Sequence, residues 1–388
     1  MIDTLKEKCF GCSACLNICP VNAISMVQNN EGFLEPLVDK EKCINCERCL
    51  KICPANQLYL KNSKEKAFAV IHKDNVVRAN SVSGGAFTAL SDAIFEKNGI
   101  VYGVVYDNLY AKHVRAENSI ERDKMRGSKY VQSDLTNTFN SIKDDLVKDT
   151  FVLFVGTSCQ VDGLVRFLGE NSVDTSKLYT VEIVCHGVPS PLIFKEHLNY
   201  LEKKNGKKII AYKNRSKVKG WHEHNEEITY ENNKKEWKTK SAQNFKDIFY
   251  KNLILRKSCY SCPYAGKMGI ADIAIGDFWG VQHILPKIDD NKGVSILLTS
   301  SIKGEELFES IKEEVLYYQV DNEKALIYNH NKPCKVPATR ELFWKDYNKF
   351  GYDYVAKKYA NDTFLGRIKF YIKTRLRRIL VKLNLKDK

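Results

Sequence analysis

The feature that most constrains this chain is a cysteine pattern that occurs twice in its first sixty residues. Each copy has the spacing C-x2-C-x2-C-x3-C-P, and the second copy begins thirty-four residues after the first. The copies contain Cys9, Cys12, Cys15 and Cys19, then Cys43, Cys46, Cys49 and Cys53. The three closely spaced thiolates of a copy can bind one cubane, whereas the fourth reaches the cubane of the other copy. The pattern predicts two 4Fe-4S clusters in a bacterial-ferredoxin module over residues 1–60.

We therefore expect the two copies to exchange one ligand each. One cluster is assigned to Cys9, Cys12, Cys15 and Cys53, and the other to Cys43, Cys46, Cys49 and Cys19. Zinc is the rival metal, but zinc sites use sets of four ligands rather than a repeat of eight with two Cys-Pro ends. The ferredoxin interpretation is favoured.

The rest of the 388 residues can hold a larger domain with its own core, since 44% of the chain is hydrophobic. Met1 to Lys8 is polar, and no apolar run approaches the roughly eighteen residues that a membrane span needs. Thirteen cysteines in such a chain indicate metal binding rather than disulfides. We expect a cytoplasmic protein.

The charge of the chain favours acidic partners. The formal net charge is +14, and three bound clusters of about −2 each would lower it to about +8, because ligating cysteines lose their protons. Nucleotides, polyanionic cofactors, acidic ferredoxins and anionic lipid all suit such a charge. A generally lysine-rich composition explains much of it equally well. The basic residues are dispersed, so nucleic-acid binding is not predicted.

After a charged linker, Lys61 to Lys66, strand-like and helix-like segments alternate. Apolar runs predict strands at Phe68–Ile71, Ile100–Val105, Phe151–Val155, Tyr179–Val184, Ile273–Ile275 and Val294–Leu298. Helix-like stretches lie near 85–97, 134–149, 160–169, 191–204, 243–255 and 303–314. This alternation predicts an α/β domain with a mixed, mostly covered sheet over residues 66–360.

A serine and glycine loop, Ser81 to Gly85, follows the first of these strands and opens a helix near Ala86. Backbone N–H groups at a helix amino terminus can bind a phosphate. An ordinary helix cap made by Ser83 explains the loop equally well.

Five cysteines remain outside the repeat. Cys159 and Cys185 end two predicted strands, and Cys259 and Cys262 form a C-x2-C before a proline. Because ligand sites gather at the carboxyl ends of strands, these four could bind a third 4Fe-4S cluster. Small buried core cysteines are the alternative. Cys334 has no evident partner, and we expect it to be structural. His222 and His224 are expected to face solvent rather than to bind a metal.

The ordered set of motifs then resembles the coenzyme F-420 hydrogenase/dehydrogenase beta-subunit family over about residues 66–330. The motifs are Ser83-Gly84-Gly85, Gly127-Ser128-Lys129-Tyr130-Val131-Gln132, Thr157-Ser158-Cys159-Gln160-Val161, Cys185-His186-Gly187-Val188-Pro189-Ser190, Cys259-x2-Cys262, Ala271-Asp272-Ile273 and Gly276-Asp277-Phe278-Trp279-Gly280. A ferredoxin module ahead of that domain resembles the electron-input subunit of F-420 dehydrogenases and their bacterial iron-sulfur relatives.

The resemblance implies a non-covalent FAD and favours the third cluster on Cys159, Cys185, Cys259 and Cys262. It implies that Ser83, Gly84 and Gly85 form a flavin-phosphate loop. By the same resemblance Lys129 and Gln132 contact flavin or substrate, and Arg215, Lys217 and Trp221 form a landing site for an anionic partner. No residue is assigned as catalytic. The expected fold is α+β, a small two-cluster ferredoxin-like domain followed by a large α/β flavin-binding domain with a mixed sheet.

The function that follows is an FAD-dependent iron-sulfur oxidoreductase. A flavin accepts two electrons as a hydride and releases them singly, and clusters carry one electron each. The expected partners are ferredoxin or another redox protein and an anionic organic substrate, a deazaflavin or another molecule. The alternative is an electron-transfer subunit, or an accessory redox protein of surface-polysaccharide biosynthesis, without its own organic substrate.

The carboxyl-terminal residues 361–388 predict a basic amphipathic helix. Apolar residues recur at helical spacing from Leu365 onward, and arginines and lysines lie between them. We expect this helix, residues 365–388, to pack on its own domain or on a partner subunit. The alternative is peripheral contact with the inner face of a membrane.

Overall fold

The computed structural model describes residues 2–56, 65–266, 270–329 and 332–382, with side chains through residue 373. The predicted linker therefore lies outside the described residues from 61 to 64, and Lys66 already begins a strand. The predicted carboxyl-terminal helix lies outside them from 383 to 388.

The amino-terminal module, residues 2–56, is built from two copies of one backbone unit. Its elements are helix α1 (Ala14–Ile18), the antiparallel strands β1 (Ile24–Gln28) and β2 (Leu34–Val38), and helix α2 (Arg48–Lys51). Gly11 and Ser13 precede α1 with φ angles of 69° and 60°, and Asn45 and Glu47 precede α2 with 55° and 57°. Left-handed backbone is rare outside glycine. Its recurrence at matching positions confirms the internal repeat.

The large domain follows from residue 66. Its strands are β3 (Lys66–His72), β4 (Ile100–Asp107), β5 (Tyr110–Ala116), β6 (Val152–Thr157), β7 (Leu178–Ile183), β8 (Ile209–Ser216), β9 (Asn225–Tyr230), β10 (Lys235–Glu236), β11 (Ile273–Asp277), β12 (Ser295–Thr299) and β13 (Val315–Val320). Its helices are α3 (Asn75–Asn80), α4 (Ala86–Phe95), α5 (Ser119–Asp123), α6 (Thr138–Val147), α7 (Ser158–Glu170), α8 (Pro191–Asn205), α9 (Asn244–Tyr250), α10 (Val281–Ile284), α11 (Ile302–Ser310), α12 (Asn322–Ala325), α13 (Arg340–Phe350), α14 (Tyr352–Tyr359) and α15 (Phe364–Lys382).

Eight strands form one mixed sheet in the order β13-β3-β12-β11-β7-β6-β4-β5. The central strands β4, β6, β7 and β11 are parallel, and antiparallel pairings add β12, β3 and β13 on one side and β5 on the other. The predicted mixed sheet is confirmed, and all six predicted strands belong to it. The parallel centre brings the carboxyl ends of β6, β7 and β11 to one edge.

Helices cover both faces of the sheet. Leu153, Val181 and Leu297 pack on one face with residues of α4 and α11, among them Leu90 and Phe308. Residues of α6 and α7 pack on the other face around Phe154. A second antiparallel sheet, β10-β9-β8, packs with α8, α9, α13 and α14 in a separate core. The sheet is buried between helical layers, as its continuous apolar runs predict.

Several elements were not anticipated from the sequence. Strand β13 buries only its two end residues, so it has no apolar run to detect. The predicted helix at 243–255 ends at Tyr250, although Leu253 to Leu255 remain buried beyond it. Among the described residues, no helix is both long enough and apolar enough to cross a membrane.

Candidate functional site

The first candidate centre lies within the amino-terminal module. Cys9, Cys12, Cys15 and Cys53 line one small cavity of about 20 Å³. Burial raises the pKa of Cys12, and neighbouring thiolates, Cys53 foremost, raise it further. Burial also raises the pKa of Cys15 and Cys53, and clustered thiols in such surroundings ionise poorly unless a metal centre compensates their charge. This donor set therefore fits an iron-sulfur cluster, and its members are those that the exchange of ligands between copies predicts.

The second set lies nearer to solvent. Cys46 is exposed, whereas Cys19, Cys43 and Cys49 are partly buried. Burial raises the pKa of Cys49, and the Cys46 thiolate adds to that effect. The Cys19 sulfur accepts the N–H of Ala23 at 3.2 Å. The grouping of Cys19 with the other three stays a prediction.

The third set gathers where parallel strands end. Cys159 lies in the first turn of α7 directly after β6, Cys185 follows β7, Cys259 lies in a short 3-10 helix, and Cys262 directly follows that helix. Burial raises the pKa of Cys185, and the thiolates of the other three all raise it further, which places the four together. Burial also raises the pKa of Cys159 to about 12 and that of Cys259 to about 11. Four such thiols fit a further cluster better than isolated core positions, although their role as ligands stays a prediction.

Cys334 lies beside this third set. Its thiol donates to the carbonyl oxygen of His186 at 3.3 Å, and after burial the largest effect on its pKa comes from Cys262. This backbone contact agrees with a structural role for Cys334, which stays a prediction. No local sequence signal connects Cys334 with residues so far upstream, because the contact is purely tertiary.

The first and third sets meet across helix α7. A Cβ atom at Gly163 would lie 2.9 Å from the Cys12 sulfur, so the missing side chain allows that cysteine to approach. Tyr264 packs edge-on against Phe10 with ring centroids 5.6 Å apart. Burial and Asp162 raise the pKa of Tyr264, and the thiolates of Cys159 and Cys12 both add to it. One aromatic ring thus lies close to both sets.

Buried polar contacts hold the two modules together. Arg256 donates to the carbonyl oxygens of Cys9 at 2.6 Å and Leu34 at 2.8 Å. Arg340 pairs with Glu31 and also donates to the Leu255 carbonyl oxygen at 3.1 Å. The amino-terminal module is therefore fixed directly beside the third cysteine set.

A cavity of about 340 Å³ opens at the carboxyl edge of the sheet. Ser83, Gly85, Lys129 and Gln132 line it, as do Thr157 and the segment from Cys185 to Pro189. The volume is in the range of small-molecule sites, roughly 300–1,000 Å³. Four of the five residues predicted to bind the cofactor therefore share one cavity with Cys185.

The loop before α4 differs from both sequence interpretations in detail. Ser83 does not cap the helix, because its hydroxyl donates to the Val294 carbonyl oxygen at 2.7 Å and Gly85 is the residue before the helix, with φ of 97°. Gly84 is absent from the cavity lining. A Cβ there would lie 2.2 Å from the Val70 carbonyl oxygen. The missing side chain of Gly84 therefore allows the backbone of the loop to lie directly against strand β3. The loop still presents the first turn of α4 to the cavity, an arrangement that suits a phosphate.

Lys129 and Gln132 line the cavity with side chains that have protein partners. The Lys129 ammonium donates to three carbonyl oxygens beyond α5, the shortest that of Met125 at 2.8 Å, and burial lowers the pKa of Lys129 to about 7. The Gln132 side-chain oxygen accepts the Leu34 N–H at 2.8 Å. Gln132 thus links the cavity wall to the amino-terminal module. Flavin contacts by these two residues stay a prediction.

The opposite wall is basic and aromatic. Arg215 pairs with Asp277 at 2.9 Å, and its guanidinium lies 4.9 Å from the centre of the Trp279 ring. Trp221 stacks on Trp279 at 5.1 Å and donates to Asp277 at 2.7 Å. Trp221 is fully buried and Arg215 nearly so, so the two do not form an exposed landing site, and contact of Arg215 with an anionic partner stays a prediction. Arg215 lines the cavity instead.

The third residue of that expected landing site is also engaged. The Lys217 ammonium donates to the carbonyl oxygens of Ser83 at 2.8 Å and Arg78 at 2.9 Å, and burial lowers its pKa to about 8. Lys217 therefore supports the loop before α4.

His224 was expected to face solvent, and this is wrong. Its ring lies 4.9 Å from that of Trp279, it bonds to the Tyr250 hydroxyl, and both His224 and Tyr250 line the cavity. Burial lowers the pKa of His224 to about 3, so the ring is neutral. His222 is partly buried and pairs with Asp289 at 2.8 Å. The sequence drew attention to His224 only as a possible metal ligand and not at all to Tyr250, because isolated residues reach the cavity from separate elements.

Comparisons with known proteins agree with the motifs. Residues 149–324 match the family described as the C terminus of the beta subunit of coenzyme F420 hydrogenase/dehydrogenase. Residues 8–57 match the 4Fe-4S dicluster domain. A search of curated proteins finds no match. A similar solved structure is a chain of the F420-reducing NiFe hydrogenase complex from Methanosarcina barkeri, with 17% identity and a TM-score of 0.45 over 78% of this chain and 93% of that chain.

Proposed function

We propose that this chain, in which a 4Fe-4S dicluster domain precedes a segment of the F420 hydrogenase/dehydrogenase beta-subunit family, is an iron-sulfur flavoprotein oxidoreductase. The match supports a redox protein of this family. The finer proposal adds FAD, a third cluster and transfer of a hydride to or from a deazaflavin or another anionic organic substrate.

The observation that carries the proposal is the continuity of the candidate sites. Cys185 of the third set lines the cavity, Tyr264 lies close to both Cys159 and Cys12, and Cys46 of the outermost set is exposed. The Cys49 thiolate of the outermost set raises the pKa of Cys15 in the first set, which supports an order of three cysteine sets from the cavity to the surface. Such an order suits electron exchange between an organic molecule in the cavity and a protein partner such as ferredoxin.

The residues of the cavity suit a bound flavin beside the cysteine sets. A bound flavin supplies the exchange between hydride and single electrons, which the clusters carry. The first turn of α4 and the backbone around Gly85 and Gly127 offer a site for the phosphates. Arg215 and the ring of Trp279 offer a cationic and aromatic wall to a planar anion.

The direct test is anaerobic purification with iron, sulfide and flavin quantified on one sample. We expect one FAD and about twelve irons per chain, the content of three 4Fe-4S clusters. Replacing Cys185 with Ala should remove about four of those irons, and Cys334→Ala is the matched control that should retain them all. About eight irons without flavin would contradict the proposed large-domain chemistry while leaving the dicluster domain intact.

An electron-transfer subunit without its own organic substrate is the second candidate. The exposure of Cys46 favours a protein partner in either case. Oxidation of a reduced deazaflavin by the purified chain, with an artificial acceptor, separates the two. Activity of the chain alone supports the oxidoreductase, whereas activity only with a second, copurifying protein supports the second candidate.

Packing of α15 on a partner subunit stays a prediction, but its exposed apolar side chains favour the membrane alternative, and we further propose that α15 attaches the chain to an anionic membrane surface. Phe364, Leu365, Ile368, Tyr371 and Ile372 are all exposed on this helix. Gly366 is buried and Phe370 partly buried, so these two face the protein. The exposed apolar side chains therefore lie on the side away from the protein, flanked by exposed basic residues such as Lys369 and Lys373. Apolar and basic side chains together suit anionic lipid.

A further inference from the structure

Arg256 is a buried cation between two of the cysteine sets. Only 4% of the residue is exposed. It lies three residues before Cys259, whose N–H donates to the Arg256 carbonyl oxygen at 2.9 Å. Its side chain reaches the other module and donates to the carbonyl oxygens of Cys9 and Leu34. Arg256 is thus hydrogen-bonded to the backbone of Cys9 in the first set and of Cys259 in the third set.

The guanidinium of Arg256 is incompletely satisfied by the described residues. Its Nη1 atom is buried and has no hydrogen-bond partner among them. A Cβ at Gly11 would lie 2.8 Å from that atom, which places Nη1 against the loop between Cys9 and Cys12. An arginine keeps its positive charge in proteins, and a buried charge without compensation is costly. A nearby group of negative charge would remove that cost.

Charge interactions reach the third set as well. Burial is the main cause that raises the pKa of Cys159 and Cys259, and the Arg256 guanidinium acts against it at both. Acidic side chains do not accept hydrogen bonds from Arg256 in the described part of the chain, and its aromatic contact is Phe33 at 5.2 Å. The cation therefore remains available to the thiolates on either side.

We propose that Arg256 sets the reduction potentials of two neighbouring clusters, one on Cys9, Cys12, Cys15 and Cys53 and the other on Cys159, Cys185, Cys259 and Cys262. The inference rests on the proposed function, since it requires both clusters. Adding an electron makes a cluster more negative, and a nearby positive charge favours that reduced form. Through its charge, Arg256 keeps both clusters reducible by the same donor.

The test is a redox titration followed by electron paramagnetic resonance on the wild-type protein, Arg256→Met and Arg256→Lys. In Arg256→Met we expect reduction of both clusters to become at least tenfold less favourable, a fall of about 59 mV in each one-electron potential. The outermost cluster should keep its potential and serve as an internal reference. Lys257→Met is the matched control, because Lys257 is exposed and already pairs with Glu7.

Two further outcomes distinguish charge from structure. Arg256→Lys keeps the charge but loses the forked hydrogen bonds. Both clusters in this variant should therefore have reduction potentials close to those of the wild-type protein, even where its thermal stability is lower. Unchanged potentials in Arg256→Met at full iron content would overturn the inference alone. An equal fall in Arg256→Lys would also overturn it, because hydrogen bonding would then be the cause. A wild-type protein without the third cluster would instead contradict the proposed function.

Discussion

Many ionisable side chains of this protein are buried, and most of them lie outside the cavity. Glu226 on β9 is 1% exposed and accepts one backbone N–H, that of Lys246, at 3.2 Å. Burial raises the pKa of Glu226 to about 8, although the Tyr212 hydroxyl and Lys246 act in the opposite direction. A carboxyl group in such surroundings stays protonated at neutral pH.

Glu226 should make stability depend on pH. Between its ordinary pKa of 4.5 and the folded value of about 8, the folded state keeps a proton that the unfolded state loses. The free energy of unfolding therefore falls as pH rises through this window. Glu226→Gln should remove that loss and raise Tm at pH 8 by at least about 2–4 °C, the effect of about 1 kcal/mol in a domain of 150–250 residues.

The comparison is made by anaerobic thermal melts at pH 5 and pH 8. At pH 5 the advantage of the variant should be much smaller, because pH 5 lies only just above the ordinary pKa of 4.5 at which the loss of stability begins. Glu96→Gln, at an exposed position, is the control. A variant whose advantage is the same at both pH values would show that Glu226 is not the titrating group.

Helix α7 is the element that joins the candidate sites. It begins with Ser158 and Cys159 after β6, and Thr157 and Gln160 form a capping box at its start. One turn later Gly163 faces Cys12 of the other module. Glycine weakens a helix interior, so its presence here reflects the close approach of the cysteine. The helix therefore positions a ligand candidate of the third set and makes room for one of the first.

The two glycines of α7 provide a matched test. Gly163→Ala would place a Cβ 2.9 Å from the Cys12 sulfur, whereas a Cβ at Gly169 would meet nothing within 4 Å. We expect Gly163→Ala to lower the iron content or shift the signal of the first cluster. Gly169→Ala should stabilise the protein by about 0.5–1 kcal/mol through better helix propensity.

Iron analysis, electron paramagnetic resonance and anaerobic melts measure both effects. If Gly163→Ala behaves like Gly169→Ala in all three, then Cys12 does not require the space beside α7.

At the scale of the whole molecule, buried contacts fix the amino-terminal module on the large domain, and α15 adds a separate surface. The Arg340–Glu31 pair lies at the boundary of the modules with side-chain exposures of 8% and 16%. The exposed apolar side chains of α15, among them Leu365 and Ile368, do not belong to that boundary. The redox sites and the proposed membrane contact are thus carried by different parts of the chain.

We expect the full chain to sediment with phosphatidylglycerol vesicles and much less with phosphatidylcholine vesicles, because apolar burial and anionic attraction act together. The combined variant Leu365→Asn, Ile368→Asn and Ile372→Asn should weaken binding at least about tenfold, since three apolar side chains together contribute well over 1.4 kcal/mol. Ile302→Asn, at an exposed position on α11, is the control. Equal binding by the variant would exclude α15 as the attachment.

The sequence by itself determined the parts of this protein whose chemistry depends on local spacing. The repeated cysteine pattern predicted the duplicated module and the grouping of Cys53 with Cys9, Cys12 and Cys15, because cubane ligands need fixed short separations. The buried strands were predictable because a strand that is covered on both faces has a continuous run of apolar residues in its sequence. The motif order identified the family resemblance.

Only the tertiary structure decided which distant residues meet. Burial of Arg215 and Trp221, the place of His224 in the cavity wall and the contact of Cys334 with His186 all depend on how separate elements pack. Edge strands such as β13 also escaped prediction, since exposed side chains carry no pattern. Arg256 has an unremarkable sequence context, and its position between two cysteine sets follows from the docking of one module on the other.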